Sequence, residues 1–215
     1  MLVDHFPLLG LRLRTPRLEL RLPAPEELAA LAELAAAGIH DPAVMPFAAA
    51  WTDQPPADIA RGVVQHHWAQ LGAWAPDKWE LNLVVFRDGV VVGQQSVGAR
   101  DFSIAREVHT GSWLGKRFQG EGIGTEMRAA VLHLAFDGLG AAEAASSAFV
   151  DNAASLAVSR KLGYQEDGTS RQVIRGALAI EHRLRITERA WRSHRATEVT
   201  VHGLAPCLPM FGAAS

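Results

Sequence analysis

The chain has 215 residues, 48% of them hydrophobic and 20% charged, which is the composition of a globular domain and not of a disordered segment. Its net charge of −2 excludes a nucleic-acid binder that works by neutralising phosphates; in the basic run Arg183, Arg185, Arg189, Arg192 and Arg195, the residues Glu181, Glu188 and Glu198 are interleaved, as on a solvated face. A single cysteine, Cys207, allows no intrachain disulfide, and no apolar stretch approaches the roughly 18 residues that span a bilayer. A cytoplasmic location, with no membrane and no nucleic acid as partner, is the expectation.

From Arg17 to Leu22 leucine alternates with charge, which reads as a strand. Pro25 suits the first turn of a helix with Leu28, Leu31 and Leu34 on its apolar side and Gly38 as its stop. The turn-rich stretch Asp41 to Pro56 carries Met45, Phe47 and Trp51. A second helix over about Asp58 to Trp74 repeats Ile59, Val63, His67 and Leu71. The period then changes to that of strands, Glu80 to Phe86 and Val90 to Val97, with Asp88-Gly89 as a hairpin turn between them. Val108 to Leu114 is a further strand. A glycine-rich loop, Gly115 to Gly124, leads into a helix with Ile123, Met127, Val131 and Leu134 on one side. Ala144 to Val150 reads as a short buried strand, and Asn152 opens a helix that Gly163 ends. Strands at Gln172 to Arg175 and Ala179 to Ile186 precede a short helix capped by Thr187. In the remaining tail, Val199 and Val201 alternate before Pro206 and Pro209. No repeat or linker interrupts this order, so one mixed α/β domain is the economical reading.

The loop Gln119-Gly120-Glu121-Gly122-Ile123-Gly124-Thr125, placed between a strand and a helix, has the chemistry of an anion site. Glycines let the backbone approach a ligand, and the free N–H groups of a helix start present about +0.5 charge. A nucleotide P-loop is excluded because no lysine follows Gly124. A dinucleotide fingerprint fits poorly, since the third glycine comes one residue early. A plain glycine turn remains open on the loop alone.

The surrounding motifs carry a resemblance. Gln119-x-x-Gly122-x-Gly124 is similar to the Q/R-x-x-G-x-G/A acyl-CoA loop of the GNAT superfamily of N-acyltransferases. Gly111-Ser112-Trp113-Leu114 resembles the G-Y-W-L strand of its ribosomal-protein N-acetyltransferase branch. Val150-Asp151-Asn152-Ala153-Ala154-Ser155 resembles that branch's V-x-N-x-x-S, and Lys161-Leu162-Gly163-Tyr164 its K-x-G-F/Y. The four elements span Gly111 to Tyr164 in the family's order. Asp41-Pro42-x-x-Met45-Pro46-Phe47 is similar to a segment of a bacterial GNAT protein with N-succinyltransferase activity.

The resemblance implies a GNAT fold, α/β with a central, mostly antiparallel sheet splayed at a V-shaped opening and flanked by helices. It covers one domain over residues 1–195, with 196–215 as a C-terminal extension that serves a homodimer or covers the acceptor site. It implies acyl transfer from acetyl-CoA or succinyl-CoA to a primary amine, either a small molecule or a protein N-terminus. Coenzyme A is expected between the strands Val108–Leu114 and Ala144–Val150. Its pantetheine arm would pair with the backbone of Trp113 and Leu114, and Gln119, Gly120, Glu121, Gly122, Ile123, Gly124 and Thr125 would hold its pyrophosphate. Asn152 and Ser155 would lie near its sulfur, although Asn152 is equally a good N-cap and Ser155 a first-turn residue that bonds locally.

The sequence departs from the family pattern at two catalytic positions. Ser159 stands where many members have a tyrosine that protonates the thiolate, which leaves Ser155 as the expected donor. His109 stands where an acidic residue often serves as base, with Glu107 and Asp101 as alternatives and a structural role for the histidine also open. These departures keep a non-catalytic acyl-CoA-binding module in view. A succinyl carboxylate would need a cationic partner, for which Arg100, Arg106 and His40 are candidates. No metal is expected, because His66-His67 and the other histidines lack ligand spacing.

Overall fold

The structure, a computed structural model, describes residues 1–213. The strands are β1 (Arg12–Arg14), β2 (Glu19–Arg21), β3 (Lys78–Arg87), β4 (Val90–Arg100), β5 (Glu107–Leu114), β6 (Glu143–Phe149), β7 (Gln165–Ile174), β8 (Ala177–Thr187) and β9 (Thr200–His202). They form one sheet in the order β7-β8-β6-β5-β4-β3-β2-β1-β9. The helices are α1 (Leu2–His5), α2 (Pro25–Ala36), α3 (Pro56–Gly72), α4 (Phe102–Ala105), α5 (Ile123–His133), α6 (Ala153–Leu162) and α7 (Glu188–His194).

Alternation along β3 sorts the core into two layers. Trp79, Leu81, Leu83 and Val85 join the cluster that includes Ile123, Met127 and Val131 of α5. Val84 and Phe86 join Leu28, Leu31, Ile59 and Val63 of α2 and α3. The sheet is therefore covered on both sides. The carboxylate of Glu27 accepts the Ala24 N–H at 2.7 Å, closing the start of α2, and also pairs with Arg21 at 2.5 Å. Asp88 and Gly89 take φ of 52° and 77°, the paired left-handed conformation of a tight hairpin turn, which joins β3 to β4 as their sequence predicts.

Two expectations need correction. Arg175 is not the end of a strand but a turn residue, with φ of 50° at Arg175 and 75° at Gly176, and the hairpin continues on both sides of it. Strand β7 also begins at Gln165, seven residues before the expected Gln172. A register shift between Glu166 and Thr169, around Gly168, breaks the alternation there, and Gln165 to Thr169 are all exposed. Residues after Ala196 add β9 to the edge of the sheet beside β1. Phe211 is fully buried, 4.8 Å from the Trp79 ring and 5.5 Å from Trp74.

The feature that positions the site is the one parallel pairing. β5 and β6 pair only at Glu107 with Glu143, Val108 with Ala144 and His109 with Ala145. Beyond them the strands part. Ser146 Oγ donates to the Thr110 carbonyl at 3.4 Å and Thr110 Oγ1 to the Ala145 carbonyl at 3.5 Å, so side chains close the apex where backbone pairing stops. From there to Leu114, β5 has β4 on one side and, among the described residues, no strand on the other.

Candidate active site

The glycine loop runs from the open end of β5 into α5. Gly120 and Gly122 both take φ of 80°, the left-handed region that a side chain disfavours, and Gly122 is the N-cap of α5. The loop is held from outside by side chains. Gln119 Nε2 donates to the carbonyls of Ile39 at 2.7 Å and Leu114 at 3.0 Å, so this amide acts as a strut. The Glu121 carboxylate pairs with Arg87, and its carbonyl accepts from Arg17 Nη1 at 3.1 Å. Glu126, buried in the first turn of α5, accepts from Thr15 Oγ1 at 2.6 Å and pairs with Arg17 at 2.6 Å. The backbone N–H groups of Gly120, Glu121, Gly122, Ile123 and Gly124 have no acceptor among the described residues, while that of Thr125 reaches the Gly122 carbonyl. Five successive donors at a helix start, with no competing carboxylate left unpaired at Glu121, fit a pyrophosphate.

Helix α6 lies against α5, and a side chain at Gly124 would meet Val158 at 3.6 Å. Asn152 Oδ1 accepts the Ser155 N–H at 3.1 Å and caps α6, while Ser155 is half-buried. Ser159 is 1% exposed and points inward. Gly163, with φ of 94°, ends the helix as expected.

On the sheet face that carries α2 and α3, three residues stand in a row across the strands, Glu80 on β3, Gly98 on β4 and His109 on β5. His109 Nε2 lies 2.6 Å from Glu80 Oε2. This bond holds the His109 pKa above the usual histidine range, against the opposing effect of burial. A neutral ring that donates Nε2–H to Glu80 keeps its lone pair on Nδ1, as a general base requires. Glu107 pairs with Arg185, and Asp101 sits at the start of α4 with φ of 48°. Along the same face, the buried His67 Nε2 lies 2.8 Å from Gln94 Oε1, and Gln94 Nε2 donates to Asn82 at 2.9 Å. Burial lowers the His67 pKa, which keeps that ring neutral.

The segment between α2 and α3 closes over this face through an aromatic chain. His40 and Phe47 stand 5.7 Å apart, Phe47 and Trp51 5.3 Å, and Trp51 and Trp113 of β5 6.1 Å. From the opposite side the tip of the β7–β8 hairpin reaches it. Arg175 Nε donates to Asp53 at 2.8 Å and Nη1 to the Pro42 carbonyl at 2.9 Å. Of the cations considered for an acidic acyl group, Arg106 stacks on the Phe102 ring at 5.3 Å and His40 Nε2 is 2.7 Å from Thr52 Oγ1. Sequence reasoning missed Glu80, Gly98 and Arg175. Their roles come from register and long-range contact, for which a single sequence carries no marker.

A sheet parted between two parallel strands, with a glycine-led helix N-terminus at its open end, is the arrangement of an acyltransferase domain. The family model described as an acetyltransferase (GNAT) domain matches residues 17–165, and the chain belongs to this family. Solved structures show the same fold. RimJ of Mycobacterium smegmatis, determined with a CoA disulfide, is 18% identical, with a TM-score of 0.65 over 89% of this chain and 98% of its own. A RimL ribosomal L7/L12 α-N-protein acetyltransferase in complex with coenzyme A is 20% identical, with a TM-score of 0.63 over 80% and 95%. A GNAT-family acetyltransferase of Bacillus anthracis is 17% identical, with a TM-score of 0.64 over 83% and 99%. Among the described residues no helix is long and apolar enough to cross a membrane.

Proposed function

We propose that the chain moves a short acyl group, acetyl or succinyl, from coenzyme A to a primary amine by direct attack in a ternary complex. The observation that carries this reading is the run of free N–H groups from Gly120 to Gly124, next to a strand edge on β5 that no neighbour occupies. Acyl-CoA is the donor substrate. Its pyrophosphate lies on the Gln119–Thr125 loop, its pantetheine arm along Trp113 and Leu114, and its thioester toward the apex between β5 and β6. Asn152 and Ser155, at the start of α6, border the sulfur end.

The neutral amine attacks the acyl carbon, the C–N bond forms as the C–S bond breaks, and the electron pair leaves on sulfur. His109, aligned by Glu80, accepts the ammonium proton through water, and Ser155 is the donor for the thiolate. The acceptor chemistry follows from the weakness of this base. Deprotonating an α-amine with pKa near 8 costs less than about 1 kcal/mol at pH 7.4, whereas a lysine at about 10.4 costs roughly 4 kcal/mol. A peptide N-terminus or a weakly basic small amine therefore suits the site better than a lysine side chain. The acceptor lies against the face bounded by Trp51, Phe47 and the Arg175 hairpin tip. The likeness in fold to a RimL ribosomal L7/L12 α-N-protein acetyltransferase supports a protein amine as acceptor.

The test is release of free thiol from acetyl-, succinyl- and palmitoyl-CoA with peptides of defined N-terminus, polyamines and Nα-blocked lysine peptides. Fastest turnover with a short donor and a free α-amine is the expected result. Tight CoA binding with no turnover on any amine would make the chain a binding module instead.

A further inference from the structure

Arg128, in the second turn of α5, places its guanidinium beneath the opening between β5 and β6. One terminal nitrogen donates to Ser146 Oγ on β6 at 3.4 Å and Ser159 Oγ on α6 at 3.1 Å, and the other to Ser112 Oγ on β5 at 3.1 Å. The residue is 4% exposed, its Nε has no acceptor, and it makes no ion pair with a carboxylate among the described residues. The titratable group that faces it is Tyr164, whose hydroxyl is 3.3 Å from Thr110 Oγ1. Burial raises the Tyr164 pKa, so the phenol stays neutral and supplies no counter-charge. Burial lowers the Arg128 pKa, but a guanidinium starts so far above neutrality that it keeps its proton. The protein thus holds a full positive charge, surrounded by hydroxyls, at the point where the two strands part.

Burying a charge without a partner is costly, and such groups concentrate where a site acts on charge. The position matters here. Ser146 is the first residue of β6 past the last strand pair, and Ser112 lies three residues past it on β5. Ser159 accepts a hydrogen bond from Arg128, which leaves its own proton free to donate.

We infer that Arg128, acting through the Ser159 hydroxyl, is the positioning charge for the thiolate that leaves when the acyl group departs from coenzyme A. This rests on the placement of coenzyme A proposed above. In the reaction the amine forms the C–N bond, the C–S bond breaks, and sulfur takes the electron pair. The Ser159 O–H, polarised by the guanidinium, donates a hydrogen bond to that sulfur in addition to the one from Ser155, and the field of Arg128 holds the negative charge. The ammonium proton leaves separately by way of His109.

The thiol of bound coenzyme A reports this directly, because a thiolate absorbs in the ultraviolet and a thiol does not. The experiment titrates CoA bound to the intact protein, with bound desulfo-CoA as the blank, and measures desulfo-CoA affinity by calorimetry. A free thiol titrates near about 8.5, and an opposing charge nearby is expected to bring the bound thiol down by at least about one unit. In Arg128→Met, which keeps an unbranched chain of similar length, the bound thiol returns to about 8.5 or higher and kcat falls on the order of ten-fold, with desulfo-CoA affinity unchanged. Ser159→Ala, which leaves the guanidinium in place, shows part of the same shift and provides the readout if Arg128→Met does not fold. Normal desulfo-CoA affinity with an unshifted thiol in both variants overturns the inference. Failure of the unmodified protein to bind desulfo-CoA overturns the placement of coenzyme A, and this inference with it.

Discussion

Replacing Gly98 by alanine isolates the Glu80–His109 pair. Gly98 lies between the two residues in register, and a methyl group there would run into the Glu80 carboxylate and stand 2.7 Å from Cε1 and Nε2 of His109. The backbone at 98 has no positive φ, so alanine fits the strand. Restricting the unfolded chain even favours the variant by about 0.4–1 kcal/mol. The clash falls on the ends of two flexible side chains, so the fold survives and the pair separates. The His109 pKa, held up chiefly by its hydrogen bond to Glu80, then falls back toward the ordinary value of about 6.5.

A base works only when neutral, so the acid limb of the kcat/KM–pH profile tracks the folded pKa of His109. In Gly98→Ala this limb moves to lower pH, and an NMR titration of the His109 ring moves with it in the same direction. Stability follows the same linkage. A raised histidine pKa stabilises the native protein fully below the unfolded value of about 6.5, and that contribution vanishes as pH rises through the folded pKa. The variant therefore loses stability relative to the parent at pH below about 6.5 and regains parity in alkali. An acid limb that stays in place while the ring titration shifts would refute the assignment of His109 as base.

Gly122→Val puts a β-branched residue at φ of 80°, at a cost of about 1–2 kcal/mol, and fills the space in front of the free N–H groups. Coenzyme A binding by calorimetry is expected to vanish while the fold persists, and near-normal affinity would remove the loop from the site. Phe211→Ala empties the buried site where this ring packs edge-on against Trp74 and Trp79, destabilising the protein by about 3–5 kcal/mol and lowering Tm on the order of 10 °C. A shift of only a degree or two would mean that the tail does not anchor the core. Asp53→Asn removes the charge that Arg175 grips at the hairpin tip. Limited proteolysis within 41–56 is expected to accelerate and the acceptor KM to rise, with the KM for acyl-CoA unchanged; identical values in both proteins would mean that the contact does not shape the acceptor side.

What the sequence reveals follows from the range of each interaction. Asp88-Gly89, Asn152, Gly163 and Thr187 announce turns and caps by local chemistry, and each stands where its residue type places it. The glycine loop is read for the same reason. The Arg175-Gly176 turn escapes because arginine is a poor guide to a left-handed φ, and the start of β7 because an exposed edge strand with a bulge carries no alternation. Burial of the tail depends on Phe211 finding Trp79, 132 positions away. The chemistry divides in the same way. His109 and Ser159 are visible through the motifs around them, but Glu80 matters only because β3, β4 and β5 align it with His109 through a glycine. Arg128 reads as one more helix residue until Ser112, Ser146 and Ser159 converge on it from three different elements.

The proposed function places acyl-CoA in the opening between β5 and β6. A crystal structure of the protein with coenzyme A tests it most directly. The pyrophosphate is expected on the N–H groups of Gly120 to Gly124, the pantetheine arm beside Trp113 and Leu114, and the sulfur near the apex, where Ser112 and Ser146 both accept from Arg128. Coenzyme A bound anywhere else on the chain, with this opening empty, would contradict it.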